Sequence, residues 1–155
     1  GQAASTIHRR VKALSPNPRR FPTAAEFLAI PPERLREAGL SRNKARAVGD
    51  LAERAVSGAL GLRSLKHRSD DEVVERLTSV WGLGEWSAQM FLLFHLGRPD
   101  IFAPGDLGLQ EGVKVLDGLA DRPTPAQALE RSEIWRPLRS VASWYLWRLA
   151  DGGGG

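Results

Sequence analysis

The 155 residues contain no cysteine. That absence excludes disulfides, thiolate nucleophiles and any cysteine-ligated zinc or iron–sulfur centre. There is no run of about 18 apolar residues, so no membrane-spanning helix is expected. No signal-peptide pattern opens the chain, and a cytoplasmic location is the expectation. No segment alternates apolar and polar residues as a half-buried strand does, and no internal repeat at solenoid spacing is found. The three histidines, His8, His67 and His95, are isolated in sequence, and none is poised as a general acid.

What is present is a helical protein of ordinary globular composition, 42% apolar and 26% charged. The length fits one domain, or two small lobes sharing a core. Its net charge of +4 is unevenly spread. Residues 1–68 hold 14 Lys/Arg against 5 Asp/Glu, and residues 69–155 hold 8 against 13. A basic half attracts a polyanion, although an arginine-rich solvated surface reads the same way.

Helical spacing and capping residues divide the chain. Ile7, Val11 and Leu14 share a face over Ala4–Leu14, which Ser15-Pro16-Asn17-Pro18 ends. Thr23 caps a short helix through Leu28, and Pro31-Pro32 starts another that ends at Gly39. Ser41 caps Arg42–Ala59, with one face made of Ala45, Val48, Leu51, Ala52 and Ala55. Ser69 caps Asp70–Trp81, whose first turn carries three acids that the helix dipole favours. Further helices are predicted over Glu85–Leu96, Leu107–Leu116 and Pro125–Ser132 (capped by Thr124), and from Glu133 or Ile134 to Ala150. Residues 151–155 read as a flexible glycine tail outside the fold. The class is all-α.

Two segments carry chemistry. In Val80-Trp81-Gly82-Leu83-Gly84-Glu85-Trp86-Ser87-Ala88, two glycines flank a hydrophobic residue between two helices. Glycine permits positive φ and close approach of another molecule, and the amides that open the next helix favour an anion. A phosphate site that reads no base sequence is one reading, and a plain helix–turn–helix corner is the other. The second segment, Phe102-Ala103-Pro104-Gly105-Asp106, places one carboxylate after a Pro-Gly break. Asp106 there caps the helix from Leu107, serves as an electrostatic catalyst, or does both.

Taken with Gly39-Leu40-Ser41-Arg42-Asn43-Lys44-Ala45 and Trp135-Arg136-Pro137-Leu138-Arg139-Ser140, these segments resemble the helix-hairpin-helix (HhH-GPD) superfamily of DNA base-excision glycosylases. The likeness runs from about Ala3 to Ala150 and is nearest the 3-methyladenine DNA glycosylase II branch. It implies one glycosylase domain over residues 1–150, with two small helical lobes flanking a cleft and the second completed by roughly 115–150. It also implies that the N-terminal β lobe of longer members is lacking. Family members carry several more residues between Gly-Gln and Ala-Ala-x-x-Ile, an insert that holds the wedge filling the gap left by a flipped base. Here Ala3 follows Gln2 directly, so no wedge residue is assigned.

The resemblance further implies roles. Asp106 is the catalytic carboxylate, stabilising an oxocarbenium-like sugar or orienting a water toward C1′. Gly82, Leu83, Gly84, Glu85 and Ser87 form the DNA-binding hairpin. Main-chain carbonyls of Thr78, Val80 and Leu83 hold a monovalent cation, a structural Na+ or K+; no other cofactor is implied. Trp86, Met90 and Trp147 line the base pocket, where an indole face attracts a cationic base. Tryptophan i, i+3 pairs are ordinarily core; for Trp144 that reading is preferred, and for Trp147 the pocket reading. Where bifunctional relatives carry a lysine, this chain carries Trp86, which forms no Schiff base. The expectation is a monomeric, monofunctional enzyme without AP lyase activity, removing 3-methyladenine and 7-methylguanine from double-stranded DNA near a bacterial nucleoid. Rival readings are a non-catalytic hairpin module that binds DNA, a glycosylase for oxidised or deaminated bases, and a helical protein–protein adaptor. Arg42, Lys44 and Arg46 either contact phosphate or form a solvated helix face.

Overall fold

The computed structural model describes residues 2–152, and every regular element among them is helical. The expected tail overlaps this range only at Asp151 and Gly152, which form a turn; residues 153–155 lie outside the described residues. The chain divides into two compact units between Gly84 and Glu85.

The first unit contains α1 (Gln2–Ala13), α2 (Ala24–Leu28), α3 (Pro32–Glu37), α4 (Arg42–Val56) and α5 (Asp70–Thr78). The starts of α2, α4 and α5 follow from local chemistry. Thr23 and Ser69 form reciprocal capping boxes with Glu26 and Glu72, and Ser41 accepts the Lys44 amide. Val11, Phe27, Leu35, Ala38 and Ala52 make the core joining α1 to α4, with Ile7, Leu14 and Val48 against it. Each fully buried aliphatic or aromatic side chain of this size contributes roughly 1.5–3 kcal/mol.

The ends differ from expectation. Helix α4 stops at Val56 rather than Ala59, where Gly58 turns the chain with φ +77°. A 3₁₀ turn over Leu62–His67, not foreseen, buries Leu65 completely. Helix α5 stops at Thr78 rather than Trp81. The Trp81 amide donates to Asp50 Oδ2 at 2.7 Å, so it makes no helical bond.

The second unit contains α6 (Glu85–Met90), α7 (Leu107–Asp117), α8 (Pro125–Ser132) and α9 (Arg139–Ala150). Phe102, Ala103, Leu109, Val113, Ala128 and Leu146 form its core, with Met90, Trp135 and Trp147 packed on it. Helices α7 and α9 pack closely, and a Cβ on Gly112 would collide with the Leu146 carbonyl group. The helix expected over Glu85–Leu96 is α-helical only to Met90 and continues as a π turn over Phe91–His95. The last helix begins at Arg139, not Glu133 or Ile134. Glu133–Trp135 is a separate 3₁₀ turn, and Pro137, without an N–H, separates it from α9.

Candidate active site

Asp106 is the N-cap of α7: its Oδ1 accepts the Leu109 amide at 2.9 Å. The loop that delivers it is fixed at both ends. The Asp106 amide donates to Ala103 O at 3.0 Å, and buried Gln110 donates through Nε2 to Pro104 O at 2.8 Å. Capping alone does not account for the rest of the geometry. Trp147 Nε1 donates to Oδ1 at 2.9 Å, and Trp86 Nε1 donates to Oδ2 at 2.6 Å. Two expected site residues, one 20 positions before Asp106 and one 41 after it, therefore meet at its carboxylate.

The electrostatics follow from the donors. Indole and amide N–H groups are neutral, and Asp106 makes no ion pair among the described residues. Its orientation is fixed while its charge is left unneutralised. A carboxylate has about four acceptor positions. Oδ1 uses two and Oδ2 uses one, which leaves one on Oδ2 for a water or a nascent cation.

The aromatic surroundings only partly match expectation. Trp86 is 51% exposed, Trp147 is half-buried against the core, and Met90 packs on the same core cluster. Trp144, preferred as a core residue, is instead 54% exposed. It meets Trp147 edge-on at 6.2 Å. Phe94, which the sequence did not suggest, stacks on Trp147 at 5.8 Å with the rings 17° from parallel and meets Trp144 edge-on at 5.4 Å. The π turn accounts for the position of Phe94, because its wider turn shifts the phase relative to a regular α-helix. A Cβ on Gly108 would stand 2.8 Å from Trp147 Cδ1 and 3.1 Å from Asp106 Oδ1, so glycine lets the indole reach the acid.

The Asp106 loop is tied to α9 by a second polar cluster. Asp100 accepts from Arg139 Nε at 2.7 Å, from Arg139 Nη2 at 3.1 Å and from Arg136 Nη1 at 2.9 Å. It also accepts the Arg139 amide at the start of α9, a helix whose own N-cap residue supplies no side-chain bond. Ser140 Oγ donates to Arg98 O and accepts the Ile101 amide. The Arg139 guanidinium holds the Asp100 carboxyl below the usual carboxylate range.

The hairpin turn, Val80–Gly84, closes the first unit, and Glu85 begins α6 in the second. Gly82 has φ +79°, and a Cβ there would lie 2.9 Å from Ala47 Cβ, so both backbone angle and packing demand glycine. Gly84 has open space around it and no positive φ. The Leu83 amide is used within the turn, donating to Val80 O at 3.2 Å. The Glu85 side chain accepts from Gln89 at 3.0 Å, and Ser87 is half-buried.

Comparison with known proteins shows the family and the fold. Residues 2–137 match the model of the HhH-GPD superfamily base excision DNA repair proteins. DNA-3-methyladenine glycosylase 1 of Schizosaccharomyces pombe is 37% identical over 154 residues, which cover 97% of this chain and 67% of that protein. Putative DNA-3-methyladenine glycosylase YfjP of Bacillus subtilis is 34% identical over 83% of this chain, which spans only 45% of that relative. Among solved structures, the S. pombe 3-methyladenine DNA glycosylase in complex with abasic DNA superposes with a TM-score of 0.92 at 35% identity. That match covers 97% of this chain and 73% of the other. A DNA-3-methyladenine glycosidase from Bacillus halodurans gives 0.81 at 34% identity, covering 96% and 68%.

Proposed function

Because the chain belongs to the HhH-GPD superfamily of base excision DNA repair proteins, we propose that it is a monofunctional glycosylase that excises alkylated purines from double-stranded DNA. The observation that carries this reading is the convergence of Trp86 and Trp147 on an unneutralised Asp106. Breaking an N-glycosidic bond builds positive charge on the sugar. A fixed carboxylate near it, in a site that a bound substrate dries, is worth more than the same charge in water. The names of the relatives at 37% and 34% identity point to 3-methyladenine as a substrate.

A 3- or 7-alkylated purine is already cationic and leaves without a strong acid, which suits a site built around a carboxylate. Its charge also favours stacking on the indole faces of Trp86 and Trp147. Uncharged lesions lack both advantages. Oxidised and deaminated bases are therefore poorer substrates, and the reaction draws on no redox cofactor. Trp86 carries no amine to attack the sugar, so the product is an intact abasic site. Single-turnover release measured side by side from duplexes carrying 7-methylguanine, uracil and 8-oxoguanine checks the substrate class. The alkylated duplex is expected to react at least about 100-fold faster, in line with stacking and leaving-group differences of a few kcal/mol. Faster release of uracil or 8-oxoguanine would reject the assignment.

The hairpin supplies sequence-independent phosphate binding. Thr78, Val80 and Leu83 lie at the C-terminal end of α5 and in the turn after it, where the helix dipole is negative. Val80 O spends one lone pair on the Leu83 amide and keeps the other. These main-chain carbonyls would hold a Na+ or K+ ion, which supplies positive charge beside a phosphate. Exchanging K+ for tetramethylammonium at constant ionic strength is expected to weaken duplex binding. Equal affinity in both salts would dismiss the site.

A further inference from the structure

Helix α4 reaches the hairpin through three contacts of different kinds. Ala47 packs on Gly82. Asp50 Oδ2 accepts the Trp81 amide at 2.7 Å. The guanidinium of Arg46 lies over the Trp81 ring, 4.0 Å from its centroid. Residues 46, 47 and 50 share one helical face, so a single face of α4 braces the turn.

Within this group the charges are unequally committed. Arg54 Nε holds both oxygens of Asp50, at 3.1 and 3.2 Å, so the acid already has a cationic partner on its own helix. The Trp81 amide, more than any other contact, keeps the Asp50 carboxyl below its usual range and hence ionised. Arg46 is exposed and makes no ion pair among the described residues. An arginine held over an indole has lost much of its freedom, yet its N–H donors still reach an anion. Arg42 and Lys44, on the same helix, have no such aromatic support among the described residues.

We propose that Arg46 is a DNA-phosphate contact of the hairpin, held in place by the face of Trp81, with Asp50 as the positioning residue that pins the Trp81 main chain. This rests on the DNA-glycosylase reading above and adds a binding residue to it. The phosphate belongs to the strand engaged by the hairpin, since Trp81 and Gly82 are consecutive residues. Arginine is the suitable cation because it stacks and donates at once, whereas lysine keeps the charge but loses the planar support.

The test is equilibrium binding of a lesion-free duplex over a range of salt concentrations by wild type, Arg46→Gln and Arg46→Lys, with thermal unfolding of each. One lost phosphate contact reduces the slope of log K against log salt by about 0.9. Arg46→Gln is expected to show that reduction and to bind about tenfold more weakly at moderate salt. Arg46→Lys is expected to keep the slope while binding less tightly than wild type. An unchanged slope for Arg46→Gln overturns the proposal, whether affinity is kept or falls, since a fall at constant slope marks Arg46 as a purely structural partner of Trp81. If the wild type itself shows no salt-dependent duplex binding, the DNA reading fails instead, a result separate from the failure of Arg46.

Discussion

Asp106→Asn is expected to lower the single-turnover rate of base release by about 100- to 1,000-fold, the range for removing one preorganised electrostatic group. Stability should fall by no more than about 1 kcal/mol, because asparagine also caps helices and its Oδ1 still accepts the Leu109 and Trp147 N–H groups. The new amide nitrogen would face Trp86 Nε1, donor against donor, but Trp86 is half exposed and water can replace that bond. Affinity for duplex DNA should be unchanged or higher, since a negative charge has been removed beside a polyanion. Loss of rate with binding intact identifies transition-state stabilisation. A parallel fall in thermal stability and activity would reduce Asp106 to a helix cap.

The second large effect concerns stability. Asp100→Ala is expected to destabilise the protein by about 3 kcal/mol at neutral pH, because the largely buried guanidinium of Arg139 loses two charged hydrogen bonds and keeps only those to Glu133 and the main-chain carbonyl at position 100. For a chain of this size that is a fall in Tm of about 6–12 °C. The sign of the pH dependence follows from the direction of the shift. The Asp100 carboxyl is depressed in the folded state, so its contribution is complete above the unfolded carboxylate value of about 4 and fades as pH falls through the lower folded value. The gap between wild type and Asp100→Asn should therefore close in acid. Chemical unfolding of both proteins at pH 7 and pH 3 measures it, and a gap that is constant or grows in acid would exclude the ion pair as its source. Because Asp100 and Ser140 anchor the segment leading to Asp106, Asp100→Ala should also slow base release.

The caps at Thr23, Ser41, Ser69, Thr124 and Asp106 were legible in the sequence because each bond spans only three residues. Asp106, Trp86 and Trp147 were legible as candidates through the family resemblance. What the sequence did not disclose depends on distant partners. The end of α5 is set by Asp50, 31 residues before Trp81. The Trp135–Ser140 segment was noticed as a pattern, but its partner Asp100 lies 39 residues before Arg139. Phe94 does not stand out because periodicity assumes a regular α-helix, whereas the π turn at Phe91–His95 resets the phase; the exposure of Trp144, in the regular helix α9, is not readable from an i, i+3 spacing. The short apolar run Met90–Phe94 gives no warning of such a turn.

The most direct measurement is chromatographic analysis of bases released by the wild-type protein from dimethyl-sulfate-treated duplex DNA, with the strands examined before and after alkali. The account predicts that 3-methyladenine and 7-methylguanine appear, and that strands stay whole until alkali cleaves them at abasic sites. DNA that is bound without base release, or strands already nicked before alkali, would contradict it.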